Sequence, residues 1–300
     1  MELVRSRRGL QKKFVASLLI VGFSPGIVAL FATYLYSTQT LKNTIGDSFQ
    51  QLAASTARRI EVMIDDEIDE ARHLAAAPLA VRFSVETSNR SYRAGGEPAV
   101  RAQLLERSAR WEQFRAGKKP TLPDFINQRT LVYIQSWLTI RPGEYNNILV
   151  TDERGALIAG VSPDAKYLHG DALWWKEAYA GGRGGLYVSD IYEQAPAVYL
   201  LDIAVPILDQ AGTRAVGVAK FEVRRDSLMK AIMEIRVGER GHGMLLNTEG
   251  TPLICPVLPP TAHLINDPLM KQLMQTKPGW VVAEDDAHGG RNSIVGFAPI

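Results

Sequence analysis

Between residues 167 and 222 the sequence gathers Tyr167, Trp174, Trp175, Tyr187, Tyr192 and Tyr199 with the acids Asp171, Asp190, Asp202 and Glu222. Aromatic faces and carboxylates both attract positive charge, so this composition suits a cationic or amphipathic ligand. Lys176, Arg183 and Lys220 lie in the same stretch and would equally receive an organic acid. A structural reading stands beside both, because Trp174 and Trp175 could be large core rings of a helix packed on a sheet. The loop Gly181-Gly-Arg-Gly-Gly185 reads first as a flexible connector and second as an anion-binding nest of amides.

Catalytic patterns are absent in usable form. Gly22-Phe-Ser-Pro-Gly26 fits G-x-S-x-G, but it lies inside an apolar run without the strand–turn–helix setting that exposes a nucleophile. The histidines His73, His169, His242, His263 and His288 are scattered, and neither H-E-x-x-H nor G-x-x-x-x-G-K occurs. The single cysteine, Cys255, excludes an intrachain disulfide, matches no zinc spacing and is expected to pack as a small hydrophobe on a strand. The expectation is a non-enzyme without metal or cofactor. A formal net charge of +2 gives no case for nucleic-acid binding.

The elements that must position these residues begin at a membrane. Phe14–Tyr36 is 23 uncharged residues, and as a helix it spans about 34 Å at about 1.5 Å per residue, enough to cross a bilayer. Pro25 is tolerated in such a span. Tyr34 and Tyr36 suit an interfacial belt, and the basic cluster Arg5, Arg7, Arg8, Lys12 and Lys13 keeps residues 1–13 cytoplasmic. A cleaved signal peptide has a shorter apolar core, of roughly 7–15 residues, and a small-residue cleavage site that Tyr-Leu-Tyr-Ser does not supply. Residues 37–300 are therefore expected outside the cytoplasm.

Beyond the span, Leu41, Ile45, Phe49, Leu52, Ile60, Met63, Ile64, Ile68, Ala71 and Leu74 recur at helical spacing. They define a long signalling helix over 37–77 whose stripe could pack on a second copy to form a homodimer. The acids Asp65, Asp66, Glu67, Asp69 and Glu70 read as its solvated face rather than a metal site. Helices are predicted over about 98–114 and 125–138, then strands at 147–152 and 156–161 and a β-rich stretch to about 223.

Residues 148–163 and 244–259 align without gaps at an offset of 96, with six of sixteen positions identical, among them Leu157/Leu253 and Pro163/Pro259. Ile203–Ile207 similarly echoes Gly296–Ile300. We read two copies of one unit, the alternative being two hairpins that share turn glycines and apolar strands. The second copy lacks a counterpart of the strand at 215–223, so the chain is expected to be the front portion of a longer protein.

This order of elements resembles the extracytoplasmic double Cache sensor domain of bacterial receptors. The segment Gly238-Glu-Arg-Gly-His-Gly-Met-Leu245 resembles that family's entry into its second module. The resemblance implies an α+β fold: a transmembrane helix over 14–36, then a long helix, then two PAS-like antiparallel-sheet modules in tandem. The membrane-distal module covers 78–225, a connecting helix 226–236, and a truncated membrane-proximal module 237–300. It also implies a receptor of histidine-kinase, chemoreceptor, cyclase or phosphatase type in a bacterial inner membrane, with a HAMP linker and output region beyond these residues. Kinase output in a two-component system is the first expectation, and an anchored extracytoplasmic hydrolase the alternative of another class.

The family's amino-acid motif Tyr-x4-Arg-x-Trp-Tyr is matched here by Tyr167 and Trp174, with Trp175 for the second tyrosine and Ala172 for the arginine that would clamp a carboxylate. In Tyr-x-Asp, Tyr192 matches and Gln194 replaces the aspartate, while Glu222 stands at the final acidic position. The candidate ligand residues are thus Tyr167, Asp171, Trp174, Trp175, Tyr187, Asp190, Tyr192, Gln194, Asp202 and Glu222, for a small molecule that departs from a standard α-amino acid.

Overall fold

The structure is a computed structural model that describes residues 2–118, 121–162, 165–195, 198–224, 226–239, 241–258, 264–285, 288 and 290–300. Pro163, Pro259 and His263 lie outside the described residues. Helix α1 (Glu2–Ala75) runs unbroken through Pro25. By length and composition it is apolar and long enough to cross a membrane. A π-helical turn at Pro78–Arg82 leads into α2 (Phe83–Ser91), followed by α3 (Glu97–Arg115) and α4 (Gln128–Ile140). Asn127 caps α4 by accepting from the Thr130 amide at 3.0 Å, which is why the helix starts later than its apolar pattern at Phe125.

The chain divides into two compact units, Arg58–Leu264 and Met1–Ala57 with Ile265–Ile300. The larger unit is built on an antiparallel sheet of β1 (Tyr145–Asp152), β2 (Leu157–Gly160), β3 (Tyr187–Val188), β4 (Tyr192–Ala195), β5 (Val198–Leu208) and β6 (Ala215–Arg224), with helix α5 (Leu173–Tyr179) between β2 and β3. The strand order is β2-β1-β6-β5-β3, and β4 also pairs with β5. Side chains alternate across a strand. One sheet face therefore presents Ile148, Val150, Ile203, Val205, Phe221 and Val223, which pack with Ile60, Ile68 and Leu74 of α1 and Ile134 of α4. The other face carries Asp202, Lys220 and Thr151, covered by α5 and the α3 side.

The predicted stripe on α1 is therefore spent largely within the chain from Ile60 onward, whereas Leu41 and Leu52 are exposed. The acidic run is not wholly solvated either. Glu67 accepts from the Tyr145 hydroxyl at 3.1 Å and Glu70 pairs with Arg141, because both sit at the margin of the buried stripe. Helix α2, which the apolar pattern did not reveal, is docked by the buried Val85 and by Asn89 Nδ2, which donates to the Val216 carbonyl at 2.7 Å.

After α6 (Asp226–Met233), β7 (Arg236–Val237) and β8 (Gly241–His242), a hairpin forms from β9 (Leu245–Leu246) and β10 (Pro252–Ile254). Its turn repeats that of β1–β2 bond for bond. Asp152 Oδ1 accepts from the amides of Arg154 and Ala156, and Asn247 Oδ1 from those of Glu249 and Thr251. Gly155 and Gly250 hold φ of 73° and 82° at matching places, a region that favours glycine. Val150↔Ala159 and Thr151↔Leu157 correspond to Leu245↔Ile254 and Leu246↔Pro252, bulge included. The structural offset is thus 95, not the 96 at which the identities align. The matching residues are one step out of register, which on a strand exchanges the two faces. After the second hairpin come α7 (Asp267–Leu273), β11 (Gly279–Ala283) and β12 (Ser293–Phe297), whereas after the first come α5 and the four strands β3 to β6.

In the smaller unit β11 and β12 pair antiparallel. Trp280 lies over Gly46 of α1, where an added Cβ would meet the indole at under 3 Å, and its Nε1 donates to Asp47 Oδ1 at 3.0 Å.

Asp152 anchors the first hairpin. It is fully buried, and besides the two amides its Oδ2 accepts from Tyr92 OH at 2.6 Å and Ser88 Oγ at 2.7 Å. Burial pushes its carboxyl up, against the pull of those four donors. Asp152→Ala strands two hydroxyls and two amides and should cost about 3 kcal/mol in urea unfolding. Asp152→Asn, the residue type standing at 247, should cost only about 1 kcal/mol. A loss below about 1 kcal/mol for Asp152→Ala would show that the carboxylate is not the anchor.

Candidate functional site

Strands β5 and β6 pair with Asp202 opposite Glu222 and Ala204 opposite Lys220. The polar sheet face therefore brings three charges together. The Lys220 ammonium lies 2.7 Å from Asp202 Oδ2 and 3.2 Å from Glu222 Oε1, with Asp202 8% and Lys220 7% exposed. The Trp174 ring, carried on the first turn of α5, has its centroid 5.4 Å from the same ammonium. Tyr192 OH donates to Asp202 Oδ1 at 2.8 Å, and Ser189 Oγ accepts from the Asp202 amide at 2.9 Å. Asn146 Nδ2 donates to both Glu222 Oε2 (2.9 Å) and Gln194 Oε1 (3.0 Å). The cluster is a cage of two carboxylates and a π face already filled by an ammonium.

Burial pushes the Asp202 carboxyl up, with Lys220 opposing. Burial likewise raises the Tyr192 hydroxyl, reinforced by the neighbouring Asp202. Tyr187 is raised by burial and by the same carboxylate, which places it at the cluster's edge, packed near Ala204 and Val218.

The other expected residues separate from this group. Tyr167 is 2% exposed and belongs to an apolar cluster with Trp111 and Leu157, its ring edge-on to Phe125 at 5.0 Å. Burial pushes its hydroxyl up to about 12. Trp175 is a core residue, stacked on Tyr179 at 4.6 Å and donating through Nε1 to Thr151 Oγ1 at 3.2 Å. Asp171 is fully solvent-exposed, 3.8 Å from Lys176, because it precedes α5 on the outer side of its turn. Asp190 is exposed beside Tyr187, with its carbonyl accepting from Ser189 Oγ at 2.7 Å. Tyr199 points to the opposite face of the sheet, as its odd number on β5 requires. Ala172 is the N-cap of α5 and offers no side-chain bond. The glycine loop is no nest of free amides, since those of Arg183, Gly184 and Gly185 are bonded to the carbonyls of Ala180, Tyr179 and Ala178. Cys255 follows β10 rather than lying on it, its Sγ accepting from the Val257 and Leu258 amides at 3.4 Å.

Besides Lys220 and Ser189, Asn146 and His169 join the cluster without having been among the expected ligand residues. Asn146 reaches the cluster only through the β1–β6 pairing, which sets Asn147 opposite Glu222. His169 lies 5.2 Å from Trp174, ring to ring, and its Nε2 is buried without a hydrogen-bond partner among the described residues. Burial lowers its pKa from 6.5 to about 4, assisted by the positive charges of Lys220 and Lys166. The imidazole is thus neutral at pH 7. As pH falls from 6.5 the unfolded chain takes up this proton first, so stability present above pH 6.5 is lost on approaching pH 4. The loss attributable to this group is at most about 3 kcal/mol. His169→Gln should flatten that acid limb in thermal unfolding, and an unchanged limb would refute the assignment.

The family profile of the Cache domain matches residues 37–300. The methyl-accepting chemotaxis protein McpA of Pseudomonas putida KT2440 is 24% identical over 189 residues, 61% of this chain and 27% of that protein. The chain thus spans about a quarter of the length of this curated relative. Among solved structures, the ligand-binding domain of the Pseudomonas aeruginosa PAO1 amino acid chemoreceptor PctC, in complex with GABA, superposes with a TM-score of 0.51 at 15% identity, covering 80% of this chain and 88% of that one. The extracellular domain designated mmHK1S-Z2, named as that of a histidine kinase, gives a TM-score of 0.52 at 13% identity, covering 84% and 91%. With the profile matched from the end of the apolar span to the last residue, and a fold shared with both sensor domains, the chain belongs to the Cache domain family.

Proposed function

We propose that this chain is the extracellular sensing part of a transmembrane receptor and that it recognises a small amine-bearing solute at Asp202, Lys220, Glu222 and Trp174. The observation that carries this is the caged lysine. Two carboxylates and an indole face hold an ammonium in place, a formal count of two acids to one base. A ligand ammonium is therefore favoured by the same contacts, either beside Lys220 or in its stead, because carboxylates and ring quadrupoles act together on a cation. The GABA bound to the structural relative carries such a group. In this reading the 300 residues act by binding, not catalysis. The N-terminus is cytoplasmic, the domain is periplasmic, and Leu41 and Leu52 on α1 are left to a partner helix in a homodimer. Chemoreceptor and histidine-kinase outputs are equally supported, one by the chemotaxis relative and one by the kinase sensor fold.

The full chain in lipid nanodiscs, titrated with GABA, putrescine and succinate while thermal unfolding is followed, tests the site. Saturable stabilisation is expected from the amines, weakened at least about tenfold by Asp202→Asn and by Trp174→Ala, the equivalent of about 1.4 kcal/mol each. Stabilisation by succinate alone, or amine binding that survives Asp202→Asn, overturns the proposal.

A further inference from the structure

We infer that the larger unit carries a second, anion-binding site, separate from the lysine cage and independent of the amine reading. It would take an organic ligand with two or more carboxylate or phosphate groups. A cleft of about 690 Å³ opens where the end of α1, the π-helical turn, the glycine loop and the β5–β6 hairpin converge. Strand β3 pairs with β5 only at Ile203 and Ala204, so the edge of β5 from Val205 onward is flanked by the loop around Gly184 instead of by a strand. Into this gap the chain places Arg72, Arg82 and Arg183, three guanidiniums from three separate elements.

The local acids offset only part of this charge. Asp209, the one carboxylate on the cleft wall, is engaged by its own turn, accepting from the Thr213 amide at 2.8 Å and the Arg214 amide at 3.3 Å. Arg72 pairs with the exposed Asp69, one turn back on the helix, at 3.0 Å, a surface pair that contributes little. Arg82 donates Nη2 to the Ala76 carbonyl at 3.3 Å, while its Nε is buried without a partner among the described residues. Arg183 makes no side-chain hydrogen bond or ion pair among the described residues. Planar guanidiniums bind carboxylate and phosphate oxygens in two-point contacts, and the cleft is of a size that takes metabolite-scale ligands. An anion spanning Arg82 and Arg183 would tie the end of the long helix to the edge of the sheet, giving a second input to the element that runs towards the membrane.

Isothermal titration of the full chain in neutral-lipid nanodiscs, with citrate in one arm and inorganic pyrophosphate in the other at matched ionic strength, tests the site. Saturable one-to-one binding in at least one arm is expected, and the tighter arm identifies the carboxylate or the phosphate class. Arg72→Gln with Arg183→Gln, both exposed and so harmless to folding, should weaken it at least tenfold, as should Arg82→Gln. Asp202→Asn should leave it unchanged, which separates its failure from failure of the amine site. Absence of saturable binding in both arms, or binding that persists in the arginine variants, overturns the inference.

Discussion

Strand β5 pairs with β6 over nine residue positions, and the register of that pairing decides what each face of the sheet can do. With Asp202 opposite Glu222, alternation sends Ile203, Val205, Phe221 and Val223 one way and Asp202, Lys220 and Glu222 the other. A slip of one residue would exchange the two faces and drive the charges among the apolar side chains of α1 and α4. Burying several unpaired charges there is prohibitive, so the alternation itself holds the register.

The same register gives the sheet its two partners. The apolar face is covered by α1 from Ile60 to Leu74 and by α4, and the polar face by α5 with its paired tryptophans. A solute that moves Lys220 or Trp174 acts on strands whose opposite side chains pack against the long helix. This continuity supplies a physical route from a small ligand to a displacement of the helix, provided the ligand favours one arrangement over the other. The arginine cleft touches the same helix nearer its end, so the two sites would bias one element from different places.

The lysine cage is an expensive device if stability were its only purpose. Three charges withdrawn from water recover their desolvation only through good geometry and further hydrogen bonds, and an apolar replacement is often no less stable. Here the remaining capacity is met by Tyr192 and Asn146, which leaves the cage ordered. Asp152 is the structural contrast, since both of its oxygens are satisfied by donors from its own turn and from α2 and its C-cap Tyr92.

The apolar span, the long helix, the antiparallel strands and the second hairpin were legible in the sequence because they follow from local periodicity and turn chemistry, which need no knowledge of distant residues. Asp202, Glu222, Tyr192 and Trp174, singled out in the sequence by type and motif position, come together in one cluster. Tyr167, Trp175 and Asp171 carried the same chemical types yet went to the core or to solvent, because burial depends on what packs across the sheet. The 96-residue identities pointed to a real hairpin equivalence but missed its register by one, since identity between apolar residues does not report which way a strand faces. Only the tertiary structure brought Asn146 and His169 to the cage and set three arginines distant in sequence around one cleft. Electrostatics acts through space, and the distances that govern it are created by folding.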